Sequence, residues 1–229
     1  ADRRVLDAVL ARKGGAGLGH DEGRAAHAFR SAGDGKIALV HNGVIENYAS
    51  IKKFLSSKDY TFVSETDSEV LCNLVAYHYE KEPDTDDSSR LLNSVRKTLS
   101  HVDGTYGMVV TSTGNPEELI TARKGSPLIL GIGKDETIVA SDVSAIVSRT
   151  QNVVYLNDGE IAHITSDNFS ITTIDQASVT PVIDTVDWSI DSAELGEHAH
   201  YMIKEIFEQP RAVAAALEPH INLDDGWQQ

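Results

Sequence analysis

Between residues 106 and 174 the sequence breaks into seven short β-rich runs, at 106–111, 119–122, 128–132, 137–140, 153–156, 161–164 and 169–174. Gly114-Asn115-Pro116, Gly125-Ser126-Pro127 and Asn157-Asp158-Gly159 punctuate them. Such turn residues break a helix and reverse a chain, so the runs predict short antiparallel strands. Asn157-Asp158-Gly159 reads as a hairpin turn. The half before Asp103-Gly104 is helical in pattern. Helices early and strands late favour an α+β fold over a doubly wound sheet.

In that first half, Val5, Leu6, Val9 and Leu10 fall on one helical face over 2–12, and GGAGLGH (14–20) reads as a glycine-rich turn or short strand. Residues 37–41 form an apolar strand that ends in Asn42-Gly43, and 47–57 carries Tyr48, Ile51 and Leu55 at helical spacing. A short strand is expected at 61–63. Thr66-Asp67-Ser68-Glu69 has the form of a capping box, opening a helix to about 79 with Val70, Leu71, Leu74 and Val75 inward. An acidic loop (82–89) precedes a helix over 89–100 along Leu92, Val95 and Leu99. One short helix is expected at 141–148, and 176–198 lacks periodicity. A helix over 200–217 must be kinked or divided by Pro210.

The chain has 229 residues, 41% of them hydrophobic, which supplies a real core, and a formal net charge of −15. That charge argues against a nucleic-acid or anionic-membrane partner. No stretch approaches the roughly 20 apolar residues of a membrane span. The charged opening ADRRVLDAVLARKGG reads as a helix rather than a signal peptide. One cysteine, Cys72, excludes a disulfide framework and suits a reducing, cytoplasmic compartment. Cys72 lies among Val70, Leu71, Leu74 and Val75, as a small core hydrophobe does.

Nine histidines include one close pair, His198-x-His200, which no Cys or carboxylate joins at a recognised ligand spacing. No metal site and no cofactor are expected. The glycines of 14–19 and Gly131-Ile132-Gly133 form neither a GxGxxG motif nor a phosphate loop, and no nucleophile elbow is present. Two features remain. Asn42-Gly43 is either a plain turn or a pair of converging donors, one side-chain amide and one backbone N–H, of the kind an oxyanion hole requires. Asp67 is either a helix-start residue or a carboxylate that pairs with an ammonium.

HNGVIENY (41–48), followed by FVSETDSEV (62–70), resembles the glutamine-hydrolysing domain of the class II amidotransferases. Within that family the likeness is closest to the glucosamine-6-phosphate synthases. DGTYGMVV (103–110), ARKGSPLILGIG (122–133), Ala140-Ser141-Asp142, LNDGEIA (156–162) and HYMIKEIFEQP (200–210) agree in the same order. The resemblance implies an N-terminal-nucleophile hydrolase-like, four-layer αββα sandwich with two antiparallel sheets. It implies an enzyme that hydrolyses L-glutamine and passes the ammonia to a sugar isomerase domain, which converts fructose 6-phosphate to glucosamine 6-phosphate. Residues 1–198 would be the amidotransferase domain and 199–229 a linker helix toward the isomerase. By the same resemblance Asn42 and Gly43 form the oxyanion hole, Gly43 also holds substrate, and Asp67 binds the α-ammonium of glutamine. A homodimer is compatible with this reading.

The sequence departs from the family pattern at the active site. The family's nucleophile is a cysteine opening a CGI-type strand, whose free α-amine can act as base; this sequence begins at Ala1. The family's arginine-tyrosine-aspartate stretch is missing near Lys13-Gly14. Where the family has GHTRWATHG, with an arginine for the glutamine carboxylate, Gly19-His20 runs into Asp21-Glu22-Gly23. AAHAF (25–29) matches the family's NAHPH only at His27. The scaffold motifs stand while these segments are gone, so the expectation is that stretches of the natural protein are missing from the numbering. The alternatives are a catalytically silent glutamine-binding or regulatory module, and another class II amidotransferase.

Overall fold

The computed structural model describes residues 27–30, 35–83, 87–134, 136–165, 168–186, 198, 200–218, 221–222 and 227–228. The expected helix over 2–12, the glycine-rich stretch 14–20 and Asp21-Glu22-Gly23 lie outside these residues. The chain divides into two compact units, Ala1–Asp187 and Trp188–Gln229.

In the first unit the strands are β1 (His27–Arg30), β2 (Ile37–Ile45), β3 (Gly104–Ser112), β4 (Leu119–Lys124), β5 (Ile129–Gly133), β6 (Glu136–Ala140), β7 (Asn152–Tyr155), β8 (Glu160–Ile164), β9 (Phe169–Thr173), β10 (Ser178–Val179) and β11 (Asp184–Thr185). Three helices, α1 (Tyr48–Ser56), α2 (Asp67–Lys81) and α3 (Asp87–Leu99), fall between β2 and β3. All seven β-rich runs of the second half are strands. They form two sheets with antiparallel pairing throughout: β1-β2-β3-β4-β8-β9-β10, and β11-β7-β5-β6.

Side-chain alternation decides the layering. In β2 and its neighbours, Ile37, Leu39, Ile45, Met108, Val110, Ile120 and Ile161 face one way and pack against Leu55 of α1, Val70, Leu71 and Leu74 of α2, and Leu91 and Val95 of α3. On the other face Val109, Leu119, Ala162 and Ile164 meet Leu130, Val139 and Val154 of the smaller sheet. The outer face of that sheet carries Ile129, Ile138 and Val153 under Val143 and Ile146. Helices, sheet and sheet are therefore stacked as expected for the α+β sandwich. Among the described residues the fourth layer is a 3-10 turn, Val143–Ala145, capped by the Asp142 carboxylate, which accepts from Ser144 N at 2.9 Å. The short helix expected at 141–148 is this turn. The core strands read as apolar runs on both faces because both faces are covered.

Four expectations are corrected. The strand at 37–41 does not stop at Asn42-Gly43 but continues to Ile45, paired with β3 all the way. No strand forms at 61–63: those residues are extended loop, and Val63 is 96% exposed. A carboxylate takes the Val63 and Ser64 amides, as described below, so no neighbouring strand is needed to satisfy them. Asn157-Asp158-Gly159 is a turn, with Glu160 N donating to Asn157 O at 3.1 Å, but not a hairpin. It carries the chain from β7 in one sheet to β8 in the other. The acidic stretch 82–89 is not all loop, because α3 begins at Asp87.

In the second unit α4 (Tyr201–Leu217) is one helix with Pro210 inside it, so the proline does not divide it. His198 stacks on Phe207 with centroids 5.7 Å apart. Two short strands, β12 (Ile221–Asn222) and β13 (Trp227–Gln228), pair antiparallel.

Candidate functional site

β2 carries Asn42 and Gly43 in its interior. Ile37, Leu39, His41 and Ile45 are buried against the helices, while Asn42 and Val44 are exposed, as period-two alternation requires. At Gly43 the backbone has φ +144°, a conformation that L side chains rarely adopt. A Cβ there would lie 2.2 Å from Thr105 O, so only glycine admits β3 at this distance. The next ladder step has a reciprocal feature. Gly104 has φ +127°, and a Cβ on it would lie 2.1 Å from Val44 O. Two strands thus approach through two glycines. Val44 N donates to Thr105 Oγ1 at 3.3 Å. Thr105 in turn abuts the turn at Gly125, whose N–H donates to the Asp158 carboxylate at 2.9 Å.

Asp67 is the first residue of α2, where the exposed amides and the helix dipole favour a negative charge. Its Oδ2 accepts the Ile45 N–H at 2.8 Å, and its Oδ1 receives the Ser68 hydroxyl at 3.4 Å. The Ser68 hydroxyl also meets His41 Nδ1 at 2.9 Å, with both residues buried. Thr66 caps the helix as expected, its Oγ1 accepting from Glu69 N at 3.4 Å. The other half of the capping box is replaced. The Glu69 carboxylate does not turn back to Thr66 but accepts Val63 N at 2.8 Å, Ser64 N at 2.7 Å and Ser64 Oγ at 2.6 Å. Burial pushes the Glu69 carboxyl up, but the Ser64 hydroxyl, the two amides and nearby Lys52 outweigh it and hold it below its ordinary value. The loop leading into Asp67 is therefore clamped from below by a buried anion.

Of the three sequence-derived residues, two lie within β2 and the third, at the start of α2, is tied to the last residue of that strand. Asn42 and Gly43 are adjacent. Asp67 is bonded to Ile45, two residues further on, which is about 7 Å along a strand. Asn42 is exposed and Asp67 is half-buried. His27, whose motif partly matched, lies on β1 opposite His41 in the backbone register.

Three residues that sequence reasoning passed over also belong here: His41, Ser68 and Thr105. The signal for His41 was its place on the buried side of β2, where a polar ring needs a partner. It was missed because the partner, Ser68, lies 27 residues away in sequence and nothing local announces it. Cys72 has no exposed surface, and its Sγ donates weakly to Ile37 O at 3.8 Å. Burial, with Glu69 nearby, pushes its thiol up to about 12, so it holds no thiolate at neutral pH. Among the described residues no group of three His, Cys, Asp or Glu could hold a metal ion. No described helix is long and apolar enough to cross a membrane.

A family model described as "Glutamine amidotransferase domain" matches residues 20–148. A glutamine–fructose-6-phosphate aminotransferase [isomerizing] from Chlorobaculum tepidum is 39% identical over 208 residues, 91% of this chain and 33% of that protein. The enzyme of the same name from Bacteroides thetaiotaomicron is 42% identical over 200 residues, 87% of this chain and 32% of that protein. The chain spans about a third of the length of the curated relatives it matches. Among solved structures, the glutamine phosphoribosylpyrophosphate amidotransferase from B. subtilis, complexed with ADP and GMP, superposes with a TM-score of 0.52 at 25% identity. That superposition covers 65% of this chain and 31% of that one.

Proposed function

The chain belongs to the glutamine amidotransferase family, and from that premise we propose that it is the glutamine-hydrolysing part of an enzyme that makes glucosamine 6-phosphate from fructose 6-phosphate. Residues 1–198 are the amidotransferase domain on this reading, and 199–229 lead toward a sugar isomerase domain. The compartment is the cytoplasm. The observation that supports the reading is the hydrogen bond from the Ile45 N–H to the Asp67 carboxylate at 2.8 Å, which ties the start of α2 to β2 two residues beyond Gly43.

The resemblance supplies the roles in the chemistry that this reading proposes. Glutamine binds with its α-ammonium on the Asp67 carboxylate, a charge-assisted pair. Its side-chain amide carbon lies toward Gly43. A thiolate adds to that carbon, the carbonyl electrons move to oxygen, and the Asn42 amide and Gly43 N–H stabilise the resulting oxyanion. By the resemblance the free α-amine of the nucleophile takes the thiol proton and passes it to the amide nitrogen, so that ammonia leaves as the tetrahedral species collapses to a thioester, and water then cleaves the thioester to release glutamate and restore the thiol. Cys72 cannot be that thiolate, since it is sealed in the core and raised to about 12. The nucleophile of the resemblance is an N-terminal cysteine.

The test is a glutaminase assay on the full-length natural protein with and without fructose 6-phosphate. Glutamate release is expected in step with glucosamine 6-phosphate. Asn42→Ala should lower kcat by about 10²–10³-fold, the usual loss for one oxyanion donor, and Asp67→Asn should raise KM for glutamine. Hydrolysis untouched by both changes would overturn the reading.

A second reading, glutamine binding without turnover, is favoured by one observation: the only thiol in the 229 residues is buried. Calorimetry on the 229-residue chain, showing glutamine binding without glutamate release, together with a full-length protein that is equally silent, would select it. Amide transfer to an acceptor other than fructose 6-phosphate would instead indicate another class II amidotransferase.

A further inference from the structure

The Asp67 carboxylate does not stand alone. Its two oxygens are held from two sides, Oδ2 by the Ile45 N–H at 2.8 Å and Oδ1 by the Ser68 hydroxyl at 3.4 Å. Ser68 is itself 1% exposed, and its hydroxyl meets the ring of His41, 4% exposed, at 2.9 Å. A hydroxyl has one proton to give. If Ser68 gives it to Asp67, its lone pair must accept from His41, which requires the imidazole to carry a proton on Nδ1. The three groups then form a directed chain, His41 to Ser68 to Asp67. Its first member immediately precedes Asn42 on β2, and its last is the carboxylate of the site. The Ile45 contact comes from the far side of Gly43 on the same strand. The plane of the carboxylate is therefore set by β2 at both ends of the Asn42-Gly43 step.

We propose that Ser68, oriented by His41, is a positioning residue for glutamine: it fixes the Asp67 carboxylate so that its remaining lone pairs meet the α-ammonium of a substrate held at Asn42-Gly43. The inference rests on the reading of Asp67 given above. A buried hydroxyl and imidazole on a core-facing surface are costly unless paired, and here they pair with each other and with one carboxylate. Neither touches the reacting amide. Their effect falls on binding of the free amino acid, in the ground state and the transition state alike, and so on KM rather than kcat.

Steady-state glutaminase kinetics on the full-length natural protein test this, with thermal unfolding recorded for each variant. Ser68→Ala should raise KM for L-glutamine about five- to tenfold, the worth of one hydrogen-bond link, with kcat little changed and the unfolding midpoint lowered only modestly by the loss of the imidazole's partner. His41→Leu should match it. His41→Asn, which keeps a polar atom where Nδ1 stands, should restore most of the loss, and this pair decides the matter if Ser68→Ala fails to fold. A fall in kcat together with the unfolding midpoint, or an Asn variant no better than Leu, would overturn the positioning role. Asp67→Asn is the reference. If it leaves KM unchanged, the site reading fails; if it raises KM while Ser68→Ala and His41→Leu do not, only the positioning role fails.

Discussion

Gly43 of β2 lies so close to Thr105 of β3, one step diagonal to its ladder partner Tyr106, that a Cβ on the first would lie 2.2 Å from the carbonyl oxygen of the second. The obstructing atoms are backbone, which cannot step aside as a flexible side chain would. Gly43→Ala therefore meets a steric clash and an unfavourable φ of +144° together. Each costs on the order of 1–3 kcal/mol, so a loss of roughly 3 kcal/mol or more is expected in urea unfolding, with glutaminase activity abolished. An alanine variant as stable as the parent would show that the strands part here without cost.

The Glu69 carboxylate accepts three donors from Val63 and Ser64. Glu69→Gln keeps the shape but sets an amide donor against those donors. The expected cost is about 2–3 kcal/mol, the range for hydrogen bonds to a charged group. Hydrogen exchange should accelerate first at the Val63 and Ser64 amides. Unchanged exchange at those two positions would refute the clamp.

Glu118 is fully buried, and His163 Nε2 lies 2.7 Å from its carboxylate. Removing the imidazole by His163→Ala takes a hydrogen-bonding partner from a buried carboxyl, a loss of about 1–3 kcal/mol. A double-mutant cycle with Glu118→Gln isolates the pair. A coupling below about 0.5 kcal/mol would mean that the other surroundings of Glu118 carry it.

His78 stacks on His101, with centroids 5.5 Å apart and planes 26° from parallel. Burial first, then the neighbouring His101 and Lys97, push its pKa down to about 4 from the ordinary 6.5. Between those values the unfolded chain binds a proton that the folded one refuses. Stability from this group is therefore full above pH 6.5 and is lost as pH falls toward 4. Allowing for its partial exposure, roughly 1–2 kcal/mol is expected across the window. Unfolding measured from pH 7 to 4 should show a shallower acid slope in His78→Gln; an identical slope would rule out His78 as its source.

The seven β-rich runs were legible because turn residues are local chemistry: a glycine or proline acts on its own backbone wherever the chain goes. The helix at Asp67–Lys81 was legible for the same reason, since Thr66 caps it through an amide three residues away. What failed needed distant partners. Asn42-Gly43 looked like a turn because the dipeptide usually is one, and β3, 61 or more residues on, pulls it into a strand. Asn157-Asp158-Gly159 was a turn, but whether it closes a hairpin depends on which sheet each flanking strand joins. Val63 looked like a strand residue because its amide partner, Glu69, was assigned to the cap instead.

By itself, then, the sequence determined the α+β class and most of the elements, and through its resemblance it pointed to Asn42, Gly43 and Asp67 as the residues to test. Only the tertiary structure decided that Asp67 is bonded to Ile45 and that His41 and Ser68 stand behind it. Local backbone preferences act over a turn or two and can be read in order along the chain. The direction of a carboxylate is set by a strand 22 residues away in sequence, and that neighbour exists only once the helix has packed against the sheet.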